Sequence, residues 1–188
     1  LANFFAYVVR YSMLDWGATY LREVKNAEAI GGGFAIMALE FGGIPSTILL
    51  GWLSDRLGGR RGMVSVLCMF PIILAFIGII VNPAGRLWFD MLMLILIGFL
   101  IYPIINLIVI MALDITGKKA IGTAAGFIGL FGYIAKAVQA ISFGWMADHF
   151  TKIYNVHTAW NIVLWSIVAS AVVGLLLLLF TWKLKPKA

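Results

Sequence analysis

A permanently charged side chain, Arg10, lies near the middle of an apolar stretch that covers residues 1–21. A guanidinium group keeps its proton, and placing it at mid-membrane costs at least about 2.5–3.5 kcal/mol. Asn3 and Tyr7 share its helical face, and Tyr7 and Tyr11 bracket it. Arg10 can bind a phosphate through a forked pair of hydrogen bonds, and tyrosine hydroxyls can donate to the remaining oxygens. The stretch therefore predicts an anion site in a polar cavity; the alternative is an ion pair between Arg10 and an acid on a neighbouring helix.

Two acidic residues, Asp15 and Glu40, lie within or near apolar segments and have no obvious basic partner. Charged groups at membrane depth usually pair with one another or line a cavity. Lys136, inside a later apolar segment, is one candidate partner. The other interpretations are cations supplied from outside this sequence, in salt bridges that break and re-form, or proton coupling through Glu40.

The composition indicates an all-α membrane protein that lies in a lipid bilayer. Of the 188 residues, 63% are hydrophobic and 12% are charged, whereas soluble domains contain about 45–50% apolar residues. The net charge of +6 does not indicate nucleic-acid binding, because the basic residues lie at the ends of apolar runs, as membrane topology requires. The sequence predicts no metal site and no cofactor. His149 and His157 are interpreted as solvated loop residues.

Six transmembrane helices are predicted, because six stretches reach the length of about 20 residues that a bilayer core requires. They cover residues 1–21, 31–54, 63–82, 90–113, 119–147 and 158–182. The chain begins inside the first stretch, which leads us to expect that an amino-terminal part of a longer protein precedes it.

Basic residues are distributed unequally between the two sets of connecting segments. One set holds four, which are Arg22, Lys25, Arg86 and Lys152. The other holds eight, which are Arg56, Arg60, Arg61, Lys118, Lys119, Lys183, Lys185 and Lys187. Because cytoplasmic loops carry the excess of Lys and Arg, both ends of the chain are expected in the cytoplasm.

The segment Gly51–Gly62, GWLSDRLGGRRG, is the most specific motif in the sequence. It combines Asp55 with a glycine turn that includes Gly59 and with three arginines. These arginines are Arg56, Arg60 and Arg61. Such a set can hold two helices together at the membrane surface, because Asp55 can pair with an arginine or with a helix N-terminus. The alternative is an ordinary positively charged loop. A shorter echo, GWMAD at residues 144–148, is what two inverted three-helix repeats would produce.

Glycines follow one face of the fifth predicted span. They are Gly122, Gly126, Gly129 and Gly132. Small residues on one face allow close helix contact. Lys136 continues this face, four residues after Gly132, so we expect it to point inward rather than towards lipid.

Four segments resemble the carboxy-terminal half of the organophosphate:phosphate antiporters of the major facilitator superfamily, and Gly51–Gly62 resembles the cytoplasmic signature loop of that superfamily. The four read FAYVVRYSMLDWGATYL, LEFGGIPSTILLGWLSD, IGFLIYP and KKAIGTAAGFIGLFGY. The resemblance implies that residues 1–188 form a six-helix bundle with a 3+3 inverted repeat. The complete protein would be a twelve-helix monomer of the bacterial inner membrane, whose amino-terminal half is missing from this sequence.

The resemblance also implies roles for single residues. Arg10 matches the phosphate-binding arginine of this half, and Asp15 and Glu40 match acids that pair with lysines of the other half. The tyrosines that match cavity-lining positions are Tyr7, Tyr102 and Tyr133.

Lys136 departs from the pattern, since the resemblance leads us to expect a small residue there. An added inward cation would favour a more negative substrate, such as a phosphoglycerate or phosphoenolpyruvate. The alternatives are that Lys136 neutralises Glu40 or extends its amine towards a membrane surface.

The resemblance implies a secondary transporter that exchanges an organic phosphate ester for inorganic phosphate. The ester would be of the glycerol-3-phosphate, phosphoglycerate or hexose phosphate class. No covalent bond need break, so an enzyme is not expected. Two alternatives stay open: a transporter-like membrane sensor of sugar phosphate, and a proton-coupled carrier of another small organic anion.

Overall fold

A computed structural model describes residues 1–184, apart from the side chains at positions 29, 30 and 118. The described part is built from six long α-helices joined by short connections. They are α1 (Ala2–Lys25), α2 (Ala29–Arg56), α3 (Arg61–Val81), α4 (Leu87–Ile115), α5 (Ile121–Ile153) and α6 (Val156–Leu179). A short 3-10 turn, Lys118–Ala120, precedes α5. Each predicted span corresponds to one of these helices.

The largest difference from the predicted bounds is at the end of α5. The prediction ended this span at residue 147 and placed a loop over residues 148–157, but α5 continues to Ile153 and α6 begins at Val156. The interpretation of His149 and His157 as loop residues is therefore wrong, although both are exposed. His149 stacks on Trp145 one turn earlier, with ring centroids 4.8 Å apart.

Five helices, α2 to α6, are long and apolar enough to cross a membrane, whereas α1 is long enough but not apolar enough. The packing gives the physical reason. The first helix contacts α2, α4, α5 and α6, so most of its surface meets protein. A helix in that position can carry Arg10 and Asp15 because its polar groups need not face lipid.

The hydrophobic core lies where α1, α3, α4 and α6 meet, and α2 and α5 are the least buried helices. In the most apolar segment of each helix, 11% of the residues are buried in α5 and 22% in α2, whereas 56% are buried in α3. Phe76, Ile101 and Leu164 illustrate the core, being fully buried. The predicted glycine contacts on α5 are found only at Gly132, because a Cβ atom at Gly122, Gly126 or Gly129 would meet nothing within 4 Å.

At one end of the bundle, a buried charge pair ties α1 to the following helices. Lys25 Nζ donates to the Ile79 carbonyl at 2.8 Å and to the Asn82 carbonyl, and lies 3.7 Å from Asp90 Oδ1. Lys25 was predicted as a loop cation, but it is the last residue of α1 and only 4% exposed. Of the other basic residues in the topology count, Lys185, Lys187 and the side chain of Lys118 lie outside the described residues.

Candidate functional site

The candidate site is centred on Arg10, whose guanidinium packs against Tyr102 of α4. Arg10 Nη2 donates a hydrogen bond to Tyr102 Oη at 2.8 Å, and Arg10 Cζ lies 4.1 Å from the centroid of that ring. Both side chains are half-buried. A cation held against an aromatic face gains about 0.5–2 kcal/mol, more when it is desolvated. Tyr102 therefore fixes the direction in which Arg10 presents its other donors.

Tyr102 is itself held by Glu40 of α2. Its hydroxyl donates to Glu40 Oε2, so Arg10, Tyr102 and Glu40 form one hydrogen-bonded relay from α1 through α4 to α2. No direct ion pair between Arg10 and a carboxylate occurs within residues 1–184. The interpretation of Arg10 as the partner of a neighbouring acid therefore holds only indirectly, through a tyrosine hydroxyl.

Glycines let α2 and α4 approach closely enough to form this relay. A Cβ atom at Gly98 would lie 1.9 Å from the Leu39 carbonyl oxygen, and one at Gly42 would lie 2.7 Å from the Ile95 carbonyl oxygen. A Cβ atom at Gly43 would lie 2.4 Å from the Tyr102 ring. The ring thus lies directly on the backbone of α2, one turn beyond Glu40, which explains why the Tyr102 hydroxyl reaches that carboxylate.

A second set of aromatic residues lies between α1 and α5. The Tyr7 ring is 5.5 Å from the Tyr11 ring and 6.3 Å from the Tyr133 ring. Tyr7 rests on Gly132, where a Cβ atom would lie 2.7 Å from its ring. Tyr133 is 66% exposed, so it borders the site from the open side of the bundle.

Lys136 of α5 brings a second cation close to Arg10. Lys136 Nζ lies 4.4 Å from the centroid of the Tyr11 ring, and Arg10 Cζ lies 5.0 Å from the same centroid. Both cationic groups therefore lie within 5.0 Å of the centre of the same aromatic ring. Among the described ion pairs, none joins Lys136 to Asp15 or Glu40. Its neutralisation of Glu40 is thus not found in this structure.

Asp15 has a partner that sequence reasoning missed, Gln139. The Gln139 Nε2 group donates to Asp15 Oδ2 at 2.6 Å, and Gln139 is 1% exposed. The same contact between α1 and α5 continues towards the start of both helices. Tyr7 rests on Gly132, and the Asn3 amide donates to the Ile128 carbonyl at 3.0 Å. Gln139 lies three residues after Lys136, and this spacing on one helix face was the available signal.

The Gly51–Gly62 motif joins three helices through one arginine. Arg61 Nη1 lies 3.0 Å from Asp55 Oδ1 and Arg61 Nε donates to Asp114 Oδ2 at 2.5 Å, which connects the ends of α2 and α4 to the start of α3. Sequence reasoning did not include Asp114, which is distant along the chain. The tight turn requires positive φ angles, 74° at Gly58 and 71° at Gly59, which favour glycine.

Two other arginines of the motif lie at the surface. Arg56 lies over the Trp52 ring, with Cζ 4.8 Å from the centroid, and Arg60 is exposed immediately before α3. A Cβ atom at Gly51 would meet nothing within 4 Å. These residues are not brought to the Arg10 cluster, so the site and the motif are two separate features.

The arrangement suits reversible binding of an anion. Two cations, several phenolic hydroxyls and two acids with hydrogen-bond partners lie on α1, α2, α4 and α5, whereas α3 and α6 contribute none of them. Within the described residues, no group of three or more His, Cys, Asp or Glu side chains could hold a metal ion.

Comparisons with known proteins agree with this architecture. The chain is 39% identical over its full length to the glycerol-3-phosphate transporter of Bacillus subtilis, covering 41% of that protein. It is 35% identical to the hexose-6-phosphate:phosphate antiporter of Escherichia coli K12 over 78% of the chain and 32% of that protein. Identity is also 35% to the phosphoglycerate transporter protein of Salmonella typhimurium, over 79% of the chain and 32% of the relative. The chain thus spans less than half the length of these relatives. Residues 1–140 match the family described as Major Facilitator Superfamily, and the chain therefore belongs to that superfamily.

Proposed function

We propose that this chain is the carboxy-terminal half of an antiporter that exchanges an organic phosphate ester for inorganic phosphate by alternating access. The observation that carries the proposal is Arg10, a fixed cation held by Tyr102 among further tyrosines on the least buried side of the bundle. The names of the relatives, which include glycerol-3-phosphate, hexose phosphate and phosphoglycerate transporters, support this substrate class.

Arg10 would bind the phosphoryl group. Tyr102 accepts from Nη2, and Arg10 Nε is buried and has no hydrogen-bond partner within residues 1–184, which leaves the other N–H groups at the two Nη atoms for a ligand. The planar guanidinium can therefore offer a forked pair of donors to two phosphate oxygens. Tyr7 and Tyr133 would line the path, contributing rings towards the carbon skeleton and hydroxyls towards polar groups.

The open faces of α2 and α5 would meet the amino-terminal half. The many exposed apolar side chains of these helices support such a contact; Phe34, Phe41 and Ile141 are examples. Asp15 and Glu40 would exchange their partners in this half for cations of the other half during reorientation. No bond in the substrate need break, so we propose a transporter rather than an enzyme, acting as a monomer when complete.

The localisation we propose is the bacterial inner membrane, with both ends of this chain in the cytoplasm. The support is the excess of Lys and Arg in one set of connecting segments. In that orientation Arg61, paired with Asp55 and Asp114, would hold the cytoplasmic ends of α2, α3 and α4 together.

The test is counterflow of labelled phosphate in proteoliposomes that contain the complete transporter. Arg10→Lys keeps the charge but loses the forked geometry, so we expect a loss of about 10- to 100-fold in exchange, the range that a charged hydrogen bond of about 1.5–3 kcal/mol implies. Arg22→Lys, at an exposed position of the same helix, is the matched control and should exchange normally.

Three outcomes would contradict the proposal in different ways. Normal exchange by Arg10→Lys would exclude this arginine as the phosphate ligand. Phosphate-ester binding without flux would favour a membrane sensor. Uptake that needs no internal phosphate and collapses with an uncoupler would favour a proton-coupled carrier.

A further inference from the structure

The relay formed by Arg10, Tyr102 and Glu40 has a limited supply of hydrogens. A tyrosine hydroxyl carries one hydrogen, and here it is donated to Glu40 Oε2. The hydroxyl oxygen accepts from Arg10 Nη2 at 2.8 Å. In this arrangement Tyr102 cannot donate to a phosphate bound at Arg10, because its only hydrogen is already used.

The Tyr102 ring has little room to move into a position from which its hydroxyl could donate to a bound phosphate. It lies on the α2 backbone at Gly43, so closely that a Cβ atom there would be 2.4 Å from the ring, and Arg10 covers its face at 4.1 Å. Rotation of the hydroxyl hydrogen, by contrast, needs no movement of the ring. The change that an arriving anion can bring about at lowest cost is therefore a transfer of this one hydrogen bond from Glu40 to the anion.

Glu40 also competes electrostatically for Arg10. Its carboxylate is two hydrogen bonds away from the guanidinium, and both groups are half-buried, where charges are screened less than in water. A negative charge in this position lowers the affinity of Arg10 for any second anion.

We propose that Glu40 is a positioning residue that holds the Tyr102 hydrogen while the site is empty and yields it when phosphate binds, so that it acts as an internal competitor of the substrate. This inference rests on the proposed phosphate site at Arg10. The competition keeps phosphate binding weak enough for release, because Glu40 retakes the hydrogen as the anion leaves. An exchanger needs such release on both sides of the membrane in every cycle.

The test is Glu40→Gln in the complete transporter, with inorganic phosphate as the probe. The neutral amide keeps the size of the side chain but not the charge. We expect phosphate to bind about tenfold more tightly, which corresponds to about 1.4 kcal/mol, while the maximal rate of phosphate counterflow falls because release becomes slower. A purely structural defect would instead weaken binding and slow exchange together.

The matched control is Glu23→Gln. Glu23 also accepts a hydrogen bond from an aromatic side chain, Trp160 Nε1 at 2.8 Å, but it lies more than three turns farther along α1 than Arg10. It should leave both phosphate affinity and counterflow rate unchanged. A decrease or no change in phosphate affinity in Glu40→Gln would overturn the inference.

A second variant tests whether Glu40 acts through Tyr102. Tyr102→Phe removes the hydroxyl, so adding Glu40→Gln in that background should tighten phosphate binding less than it does with Tyr102 present, because only the loss of the charge then contributes; a double-mutant cycle measures the difference. If the gain is equally large without the hydroxyl, the transfer of the hydrogen bond is refuted. Failure of the proposed function would look different, because the wild-type protein itself would then neither bind phosphate nor exchange it. If Glu40→Gln does not fold, Glu40→Asp tests the hydrogen bond alone, since it keeps the charge while its shorter side chain should lose the Tyr102 hydroxyl and tighten phosphate binding.

Discussion

Replacement of Gly43 by alanine tests the geometry on which the site depends. The added Cβ atom would lie 2.4 Å from Tyr102 Cδ2 and 2.7 Å from Cε2 and Cγ, whereas ordinary contacts lie between 3.4 and 4 Å. The ring must therefore move by about 1 Å or more, or α2 and α4 must separate. Either movement would lengthen the 2.8 Å hydrogen bond between Arg10 and Tyr102 beyond the range of a hydrogen bond.

Replacing a helical glycine by alanine usually stabilises a helix, but at Gly43 we expect it to destabilise the protein. Alanine is a better helix former than glycine by about 0.8–1 kcal/mol, but overpacking costs about 1–3 kcal/mol. Gly43→Ala should therefore lower the melting temperature of the complete transporter and slow phosphate counterflow about tenfold or more, because a charged hydrogen bond contributes about 1.5–3 kcal/mol. Gly33→Ala on the same helix, where a Cβ atom meets nothing within 4 Å, should leave the melting temperature equal or higher.

Thermal unfolding followed by tryptophan fluorescence, with counterflow measured on the same preparations, would check both parts. If Gly43→Ala is as stable as Gly33→Ala and exchanges phosphate at the normal rate, the close contact between α2 and the Tyr102 ring is wrong. The relay through Glu40 would then lose its geometric basis.

Two further predictions concern charged groups. Lys136→Gln should reduce the preference for phosphoglycerate over glycerol-3-phosphate in competition assays, because Lys136 adds a second cation near Arg10. The control Lys152→Gln, at an exposed position of the same helix, should leave this preference unchanged. An unchanged preference in Lys136→Gln would exclude a role of Lys136 in specificity. Asp114→Asn should weaken the Arg61 contact and lower the melting temperature by the equivalent of about 1 kcal/mol or more, whereas a melting temperature equal to wild type would mean that the 2.5 Å contact contributes nothing measurable.

Much of the fold follows from local properties of the chain. The length of the mostly apolar stretches predicts six helices whose bounds differ from the observed ones by at most six residues, because a bilayer core imposes a minimum apolar length. The end of α5 was predicted six residues too early, since Asp148 and His149 suggest a loop by their polarity alone. A helix that extends beyond the apolar region can carry such residues, and hydropathy does not report this.

The sequence by itself also predicts which residues take part in anion binding. An arginine among tyrosines in an apolar segment has few roles, because burying its charge is costly unless it is used. The sequence shows that Arg10, Tyr102 and Glu40 each resemble residues of the family, but it does not show that hydrogen bonds join the three side chains. Arg10 and Tyr102 are separated by 92 residues along the chain, and no spacing rule applies at that distance.

Only the tertiary structure decided the partners. Gln139 for Asp15, Asp114 for Arg61 and Tyr102 between Arg10 and Glu40 all depend on which helices cross and how closely. The crossing of α2 and α4 is set by backbone contacts at Gly42 and Gly98, where no side chain intervenes. Hydropathy and periodicity describe one helix at a time, whereas a hydrogen bond between helices requires their relative position to within a fraction of an ångström.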